Sequence, residues 1–98
     1  MKWGKDMNRK VLDYDGNIML VEIELKKDEV GDMHSHEPVQ FTYVLEGKFE
    51  FVKGKEKIVV SKGDTLYFES GVEHGVLCLE DGKLLDVFNP IREDLLEG

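Results

Sequence analysis

Between residues 18 and 26 the chain alternates, with Met19, Val21, Ile23 and Leu25 on one parity and Leu20, Glu22, Glu24 and Lys26 on the other. A period of two is that of a half-buried β-strand. The same rhythm returns in short pieces separated by turn signals. Phe41, Tyr43 and Leu45 lead into Glu46-Gly47-Lys48, after which Phe49 and Phe51 resume, so the pattern predicts a hairpin about Gly47. Gly54-Lys55 predicts a second turn. Ile58-Val59-Val60 ends at Lys62-Gly63-Asp64, and Leu66-Tyr67-Phe68 ends at Ser70-Gly71. Asp81-Gly82 reads as the turn joining Val76–Leu79 to Leu84–Phe88. Residues 1–17 are largely polar, close on Asp15-Gly16-Asn17 and promise little chemistry. Only the tail beyond Asn89-Pro90 suits a helical turn. Short, regularly punctuated strands without an internal repeat predict a β-sandwich or small barrel.

Composition sharpens this to an all-β fold. The chain has no alanine, against eleven Val, four Ile and nine aromatic residues, a balance that favours pleated surfaces over helices. Its 98 residues make one domain, 1–98, with the patterned core at about 18–88. A chain of this size buries only somewhat over about 60% of its unfolded surface, so a bound metal or a second subunit would help close it. The apolar Val11 and Leu12 in an otherwise polar segment point to a homodimer.

Charge then excludes partners. Thirteen Lys and Arg against 21 Asp and Glu leave −8, so no broad basic field exists to hold nucleic acid or an anionic membrane. No apolar run approaches the roughly 20 residues that span a bilayer. Cys78 is alone and forms no intrachain disulfide, and Met1-Lys2-Trp3-Gly4-Lys5-Asp6 lacks the apolar stretch of a secretory signal, so a cytoplasmic location is expected.

All three histidines lie beside glycine-marked turns, as His34-Ser35-His36 and His74. Residues two apart on a strand share a face, so His34 and His36 can present both imidazoles to one point. Gln40 follows on the same parity with a neutral amide oxygen, and His74 would close the site from another strand. A His-x-His pair alone also fits two titrating surface residues. The wider context reads Gly31-x2-His34-x-His36-x3-Gln40-x6-Gly47 and Gly63-x5-Glu69-x-Gly71-x2-His74-x3-Cys78.

These two segments, spanning residues 31–78, resemble the paired motifs of the cupin superfamily. The resemblance implies a small jelly-roll β-barrel holding one divalent transition metal through His34, His36, Gln40 and His74. Four positions depart from the family pattern: Asp28 stands at the usual first glycine, Gln40 at the usual Glu, Glu69 at the usual Pro and Cys78 at the usual Asn. Three neutral imidazoles and a neutral amide leave the charge of a divalent metal uncompensated, which favours an anionic ligand and Lewis-acid chemistry over oxidation of the metal. Ligand type does not separate Zn, Ni, Mn, Co and Fe.

A second constellation follows in Asp86-Val87-Phe88-Asn89-Pro90-Ile91-Arg92-Glu93-Asp94. Asp86 shares parity with Leu84 and Phe88, but Leu85 and Val87 are equally apolar, so the side it faces is open. Inside, it would be a perturbed acid or base; outside, a solvated carboxylate. Arg92 could hold a carboxylate at the barrel mouth or pair on the surface with Glu93 or Asp94. With Gln40 in the metal motif, this stretch resembles the KdgF-type pectin-degradation cupins. That resemblance implies ring-opening of 4,5-unsaturated uronates, small anionic sugars, to linear ketouronates. It also implies roles for Asp86 and Arg92 in catalysis and for Phe88 and Arg92 in substrate binding. A quercetinase-like dioxygenase and a non-catalytic binding barrel are the rival readings. Trp3, Phe41, Tyr43, Phe49, Phe51, Tyr67 and Phe68 are expected to pack in the core or between strands, Cys78 to be a buried inert thiol, and Glu37, Glu69 and Glu73 to be solvated.

Overall fold

The structure is a computed structural model and describes residues 8–96. Seven strands follow one another, β1 (Asn8–Tyr14), β2 (Met19–Leu25), β3 (Val30–His34), β4 (Val39–Lys53), β5 (Glu56–Ser61), β6 (Thr65–Phe68) and β7 (His74–Asn89), before a 3-10 turn at Glu93–Leu96. The two long strands organise the rest. The first half of β4 pairs with the second half of β7, and this pair is flanked by β6 on one side and by β2 and then β1 on the other. The remaining halves pair in turn, flanked by β5 and β3. Every pairing is antiparallel. The outcome is an open, jelly-roll-like fold in which two layers enclose the core, as the alternating pattern predicts.

Where the layers meet, the sequence reading is corrected twice. Neither Gly47 nor Gly82 is a hairpin turn; both lie inside continuous strands at the place where β4 and β7 bend together. A Cβ on Gly47 would lie 2.6 Å from the Asp81 carbonyl oxygen, and one on Gly82 would strike the Glu46 backbone. Glycine is therefore required by a cross-strand approach, a non-local cause that leaves the same local signature as a turn. Between Val44↔Leu84 and Phe49↔Cys78, β4 advances five residues and β7 six. This irregularity reverses the inward parity of β4, from Gln40, Thr42 and Val44 to Phe49 and Phe51, while β7 keeps its own. The other three expected turns, at 54–55, 62–64 and 70–71, are present.

The core takes Met19, Val21, Ile23 and Leu25 from β2, as expected, with Val44, Phe49, Phe51, Val60, Phe68, Val76, Cys78, Leu84 and Phe88. Phe41, Tyr43 and Tyr67 lie outside the core on the outer face, 55%, 42% and 39% exposed. Of the two expected places, Phe41 and Tyr67 take the one between strands, their rings 4.8 Å apart and tilted by 46° across the β4–β6 pair. β1 was not foreseen, because its side chains are almost all exposed and carry no period; only Val11 reaches the core, and Leu12 is exposed. Trp3 lies outside the described residues.

Asp28, at the position where the family pattern has glycine, has φ 77°. Backbone hydrogen bonds from Asp28 N to the Cys78 carbonyl and from Cys78 N to the Glu29 carbonyl, 2.8 and 2.9 Å long, hold it there. The left-handed region is strained for any residue with a Cβ, and the exposed ion pair of Asp28 with Lys27 contributes little. Asp28→Gly is expected to stabilise the protein by up to about 1 kcal/mol. Urea unfolding checks this as a raised midpoint at unchanged slope; a lowered midpoint would show that the Asp28 side chain outweighs the strain.

Candidate metal centre and active site

The site sits at the end of the sandwich opposite the Gly47–Gly82 bend. His34 ends β3 and His74 opens β7, and the two are cross-strand partners. His36 follows in the next loop, and Gln40 is the second residue of β4. Ligand nitrogens of His34, His36 and His74 all lie within 4.8 Å of one another. The three imidazoles reach one point from the end of β3, the loop after it and the start of β7. The expectation that His34 and His36 share a strand face is corrected, because β3 ends at His34.

Each ring is fixed through its other nitrogen. The Nδ1 atoms of His34, His36 and His74 lie 3.0, 2.8 and 3.0 Å from the carbonyl oxygens of Asp32, Pro38 and Val72. A carbonyl only accepts, so each Nδ1 carries the proton and donates, and in a neutral ring Nε2 keeps its lone pair. Burial favours the neutral form, pushing His34 down to about 3 and His74 down to about 4; it also lowers His36, and the Arg92 charge adds to the effect. His74 Nε2 is buried with no hydrogen-bond partner among the described residues. His36 Nε2 faces Gln40 Oε1 at 3.0 Å. Two lone pairs opposed at that distance repel unless a cation lies beside them. Neutral imidazoles, each donating its remaining N–H to a carbonyl, with an amide oxygen alongside, form a donor set that fits a divalent metal.

From Gln40 a hydrogen-bonded chain runs inward. Gln40 Nε2 donates to Thr42 Oγ1 at 2.8 Å, and the Thr42 hydroxyl donates to Asp86 Oδ1 at 2.6 Å. Thr42 and Asp86 are cross-strand partners, 1% and 2% exposed. Asp86 thus faces the interior, which the apolar Leu85 and Val87 had left open. Burial pushes its carboxyl up to about 7, against the Thr42 hydrogen bond and the Arg92 charge, which both lower it. His34, Gln40, His74 and Asp86 line one narrow cavity with an apolar wall that includes Phe51 and Leu84, with room for little more than an ion or a water molecule.

Arg92 pairs with Asp94, one of the two surface partners the sequence reading offered, but does so from a buried position. Its Nη2 and Nε donate to the Asp94 carboxylate at 2.6 and 3.3 Å, yet the side chain is buried. Burial raises the Asp94 carboxyl, but the hydrogen bond and charge of Arg92 outweigh this and leave it below the usual range. The guanidinium carbon lies 5.3 Å from the centre of the Phe88 ring, and the His36 ring meets Phe88 edge-on at 5.4 Å. Phe88 is fully buried and so supports both neighbours from below.

The cupin domain family matches residues 21–88, a span that holds all four candidate ligands and Asp86. The chain belongs to the cupin family. Over 95 residues, 95% of this cupin and 86% of its relative, it is 35% identical to the pectin degradation protein KdgF of Dickeya dadantii (strain 3937). The structure of KdgF from Halomonas sp. superposes with a TM-score of 0.88 at 31% identity, covering 97% of this cupin and 91% of that chain. An RmlC-like cupin from Shewanella frigidimarina NCIMB 400 gives 0.88 at 33% identity, covering 97% and 84%.

The other candidates in this cupin carry no chemistry at the site. Cys78 is buried, donates to the Glu80 carbonyl at 3.0 Å, and is raised by burial, as an inert thiol should be. Glu37, Glu69 and Glu73 are exposed, and Glu69 pairs with Lys53 at 3.0 Å. Thr42 is the residue that sequence reasoning passed over. Its signal was parity, two residues beyond Gln40 on the same strand.

Proposed function

We propose that this cupin is a metal-dependent enzyme that opens 4,5-unsaturated uronates to linear ketouronates in pectin or alginate breakdown. The observation that carries the reading is the buried Asp86 carboxyl lining the same cavity as His34, Gln40 and His74. The likeness to KdgF of Dickeya dadantii supports the substrate class. A divalent metal held by His34, His36, Gln40 and His74 would act as a Lewis acid towards the oxygen functions of the sugar. Arg92 takes the sugar carboxylate in exchange for Asp94, whose side chain is largely exposed and leaves readily. Asp86 delivers a proton to the enol-ether carbon while the bond from the anomeric carbon to the ring oxygen breaks. The ring oxygen becomes the ketone oxygen, the anomeric hydroxyl becomes the aldehyde, and the proton it gives up restores the Asp86 carboxyl. The reaction is an isomerisation and needs no oxidant. Arg92 and the metal together offset the −8 charge that would otherwise slow an anionic sugar.

The same reading makes the chain a single domain over residues 1–98, cytoplasmic and homodimeric. Exposed Leu12 on β1 and the outward rings of Phe41, Tyr43 and Tyr67 support a second copy as the cover for apolar surface. Among the described residues no helix is long and apolar enough to cross a membrane.

Substrate selectivity tests the proposal. Unsaturated galacturonate and its epimers should lose their conjugated-alkene absorbance faster with protein than without, whereas analogues lacking the carboxylate forgo a charge-assisted contact of roughly 1.5–3 kcal/mol. Arg92→Lys should raise KM about tenfold with little change in kcat, because lysine keeps the charge and loses the fork. A KM equal to that of the native protein would remove Arg92 from the binding site. No change in absorbance with any unsaturated uronate would leave the non-catalytic barrel.

A further inference from the structure

We propose that the Thr42 hydroxyl is a positioning group that turns the Gln40 amide so that its oxygen, and not its nitrogen, faces the metal. The proposal rests on the metal-binding part of the function above and on none of the uronate chemistry. An amide has two ends of nearly equal size, and only the oxygen offers a lone pair to a cation. Which end faces the metal is set by what the other end meets. Gln40 is 4% exposed, so water does not decide it. Its Nε2 meets Thr42 Oγ1 at 2.8 Å.

A hydroxyl has one proton, and that of Thr42 goes to Asp86 Oδ1 at 2.6 Å. The Thr42 oxygen is thereby left as an acceptor on the Gln40 side. The chain of hydrogen bonds has one direction, from the amide through the hydroxyl to the carboxylate. Reversing the amide would put two N–H donors against the metal and its oxygen against the Thr42 oxygen, whose proton is already committed. The strands provide the geometry: Thr42 is two residues from Gln40 on the inner face of β4 and directly opposite Asp86 on β7. A carboxylate in place of Gln40 would need no such help, since both its ends are oxygen. The requirement for Thr42 therefore follows from the neutral amide at position 40.

A double-mutant cycle tests this on the full chain, with Co²⁺ affinity measured by chelator competition and the visible bands of bound Co²⁺ as a second readout. Thr42→Val keeps the shape and removes the hydroxyl; it should weaken Co²⁺ binding about 10- to 100-fold and alter the Co²⁺ bands. Thr42→Ser should restore native affinity to within about threefold. In a Gln40→Glu background the same Thr42→Val change should cost less than about threefold. Where circular dichroism shows Thr42→Val unfolded, Thr42→Ala serves for the same comparison. Equal losses in the Gln40 and Gln40→Glu backgrounds, or native affinity and bands in Thr42→Val, would overturn the proposal. Failure of the uronate reading would appear instead as native Co²⁺ binding without turnover.

Discussion

Asp86→Asn is expected to lower kcat by about 10²- to 10⁴-fold while leaving metal content and fold intact, the range that a positioned acid or base contributes to proton transfer. Asparagine has the shape of aspartate, and its Oδ1 can still accept the Thr42 hydroxyl that lies 2.6 Å from the carboxylate. What it lacks is a proton that can be given and recovered. Burial already works against the charged carboxylate, pushing it up to about 7, so a neutral amide relieves a desolvation penalty at this position. Stability and turnover should therefore part company. Steady-state kinetics, elemental analysis and a thermal melt of one preparation read all three quantities. Native kcat in Asp86→Asn would make Asp86 a structural carboxyl, and equal losses of metal and activity would make it a prop for the site.

His74→Ala gives the complementary result: metal and activity disappear together. The His74 side chain is 3% exposed, its Nδ1 is tied to Val72, and its Nε2 is buried with no hydrogen-bond partner among the described residues. A buried nitrogen in that state destabilises the metal-free fold, and binding a cation repairs it. Because the ligands converge from three segments, only the folded chain offers the site. Metal at 100 times its Kd should stabilise the native protein by about 2.7 kcal/mol. In His74→Ala that increment should vanish and elemental analysis should find far less than one metal per chain. A melt of native protein that is insensitive to chelator and to added metal would contradict the metal centre altogether.

How much of this is legible without coordinates depends on whether the cause is local. The inward face of β2 is read directly, because Met19, Val21, Ile23 and Leu25 alternate with polar neighbours. His34, His36, Gln40 and His74 are recognised by their spacing, but not for the reason that strand parity gives: His36 lies in the loop between β3 and β4, and Gln40 on β4. Of the glycines beside the histidines, Gly71 marks a turn whereas Gly31 lies inside β3. Asp86 was undecided for a physical reason: the outer face of this sheet is itself apolar, with Phe41 and Tyr43 exposed and Leu85 and Val87 half-buried, so alternation carries no contrast there. The same outer face explains why the pattern left Phe41, Tyr43 and Tyr67 open between the core and a place between strands. Gly47 and Gly82 misled because the approach of one strand to another, which requires them, leaves no trace in the neighbouring residues. Thr42 went unnoticed because threonine in a strand is ordinary; its meaning lies in Asp86 across the sheet, 44 residues away.

The most direct measurement of the central claim follows alkene absorbance of an unsaturated galacturonate over time, with metal-loaded and chelator-treated protein, beside an oxygen electrode. The account predicts rapid loss of absorbance with the metal-loaded protein, return towards the uncatalysed rate after chelation, and no oxygen consumed. Oxygen uptake in step with the absorbance change would contradict it in favour of a dioxygenase, and a rate indifferent to chelation would contradict it by removing the metal from the reaction.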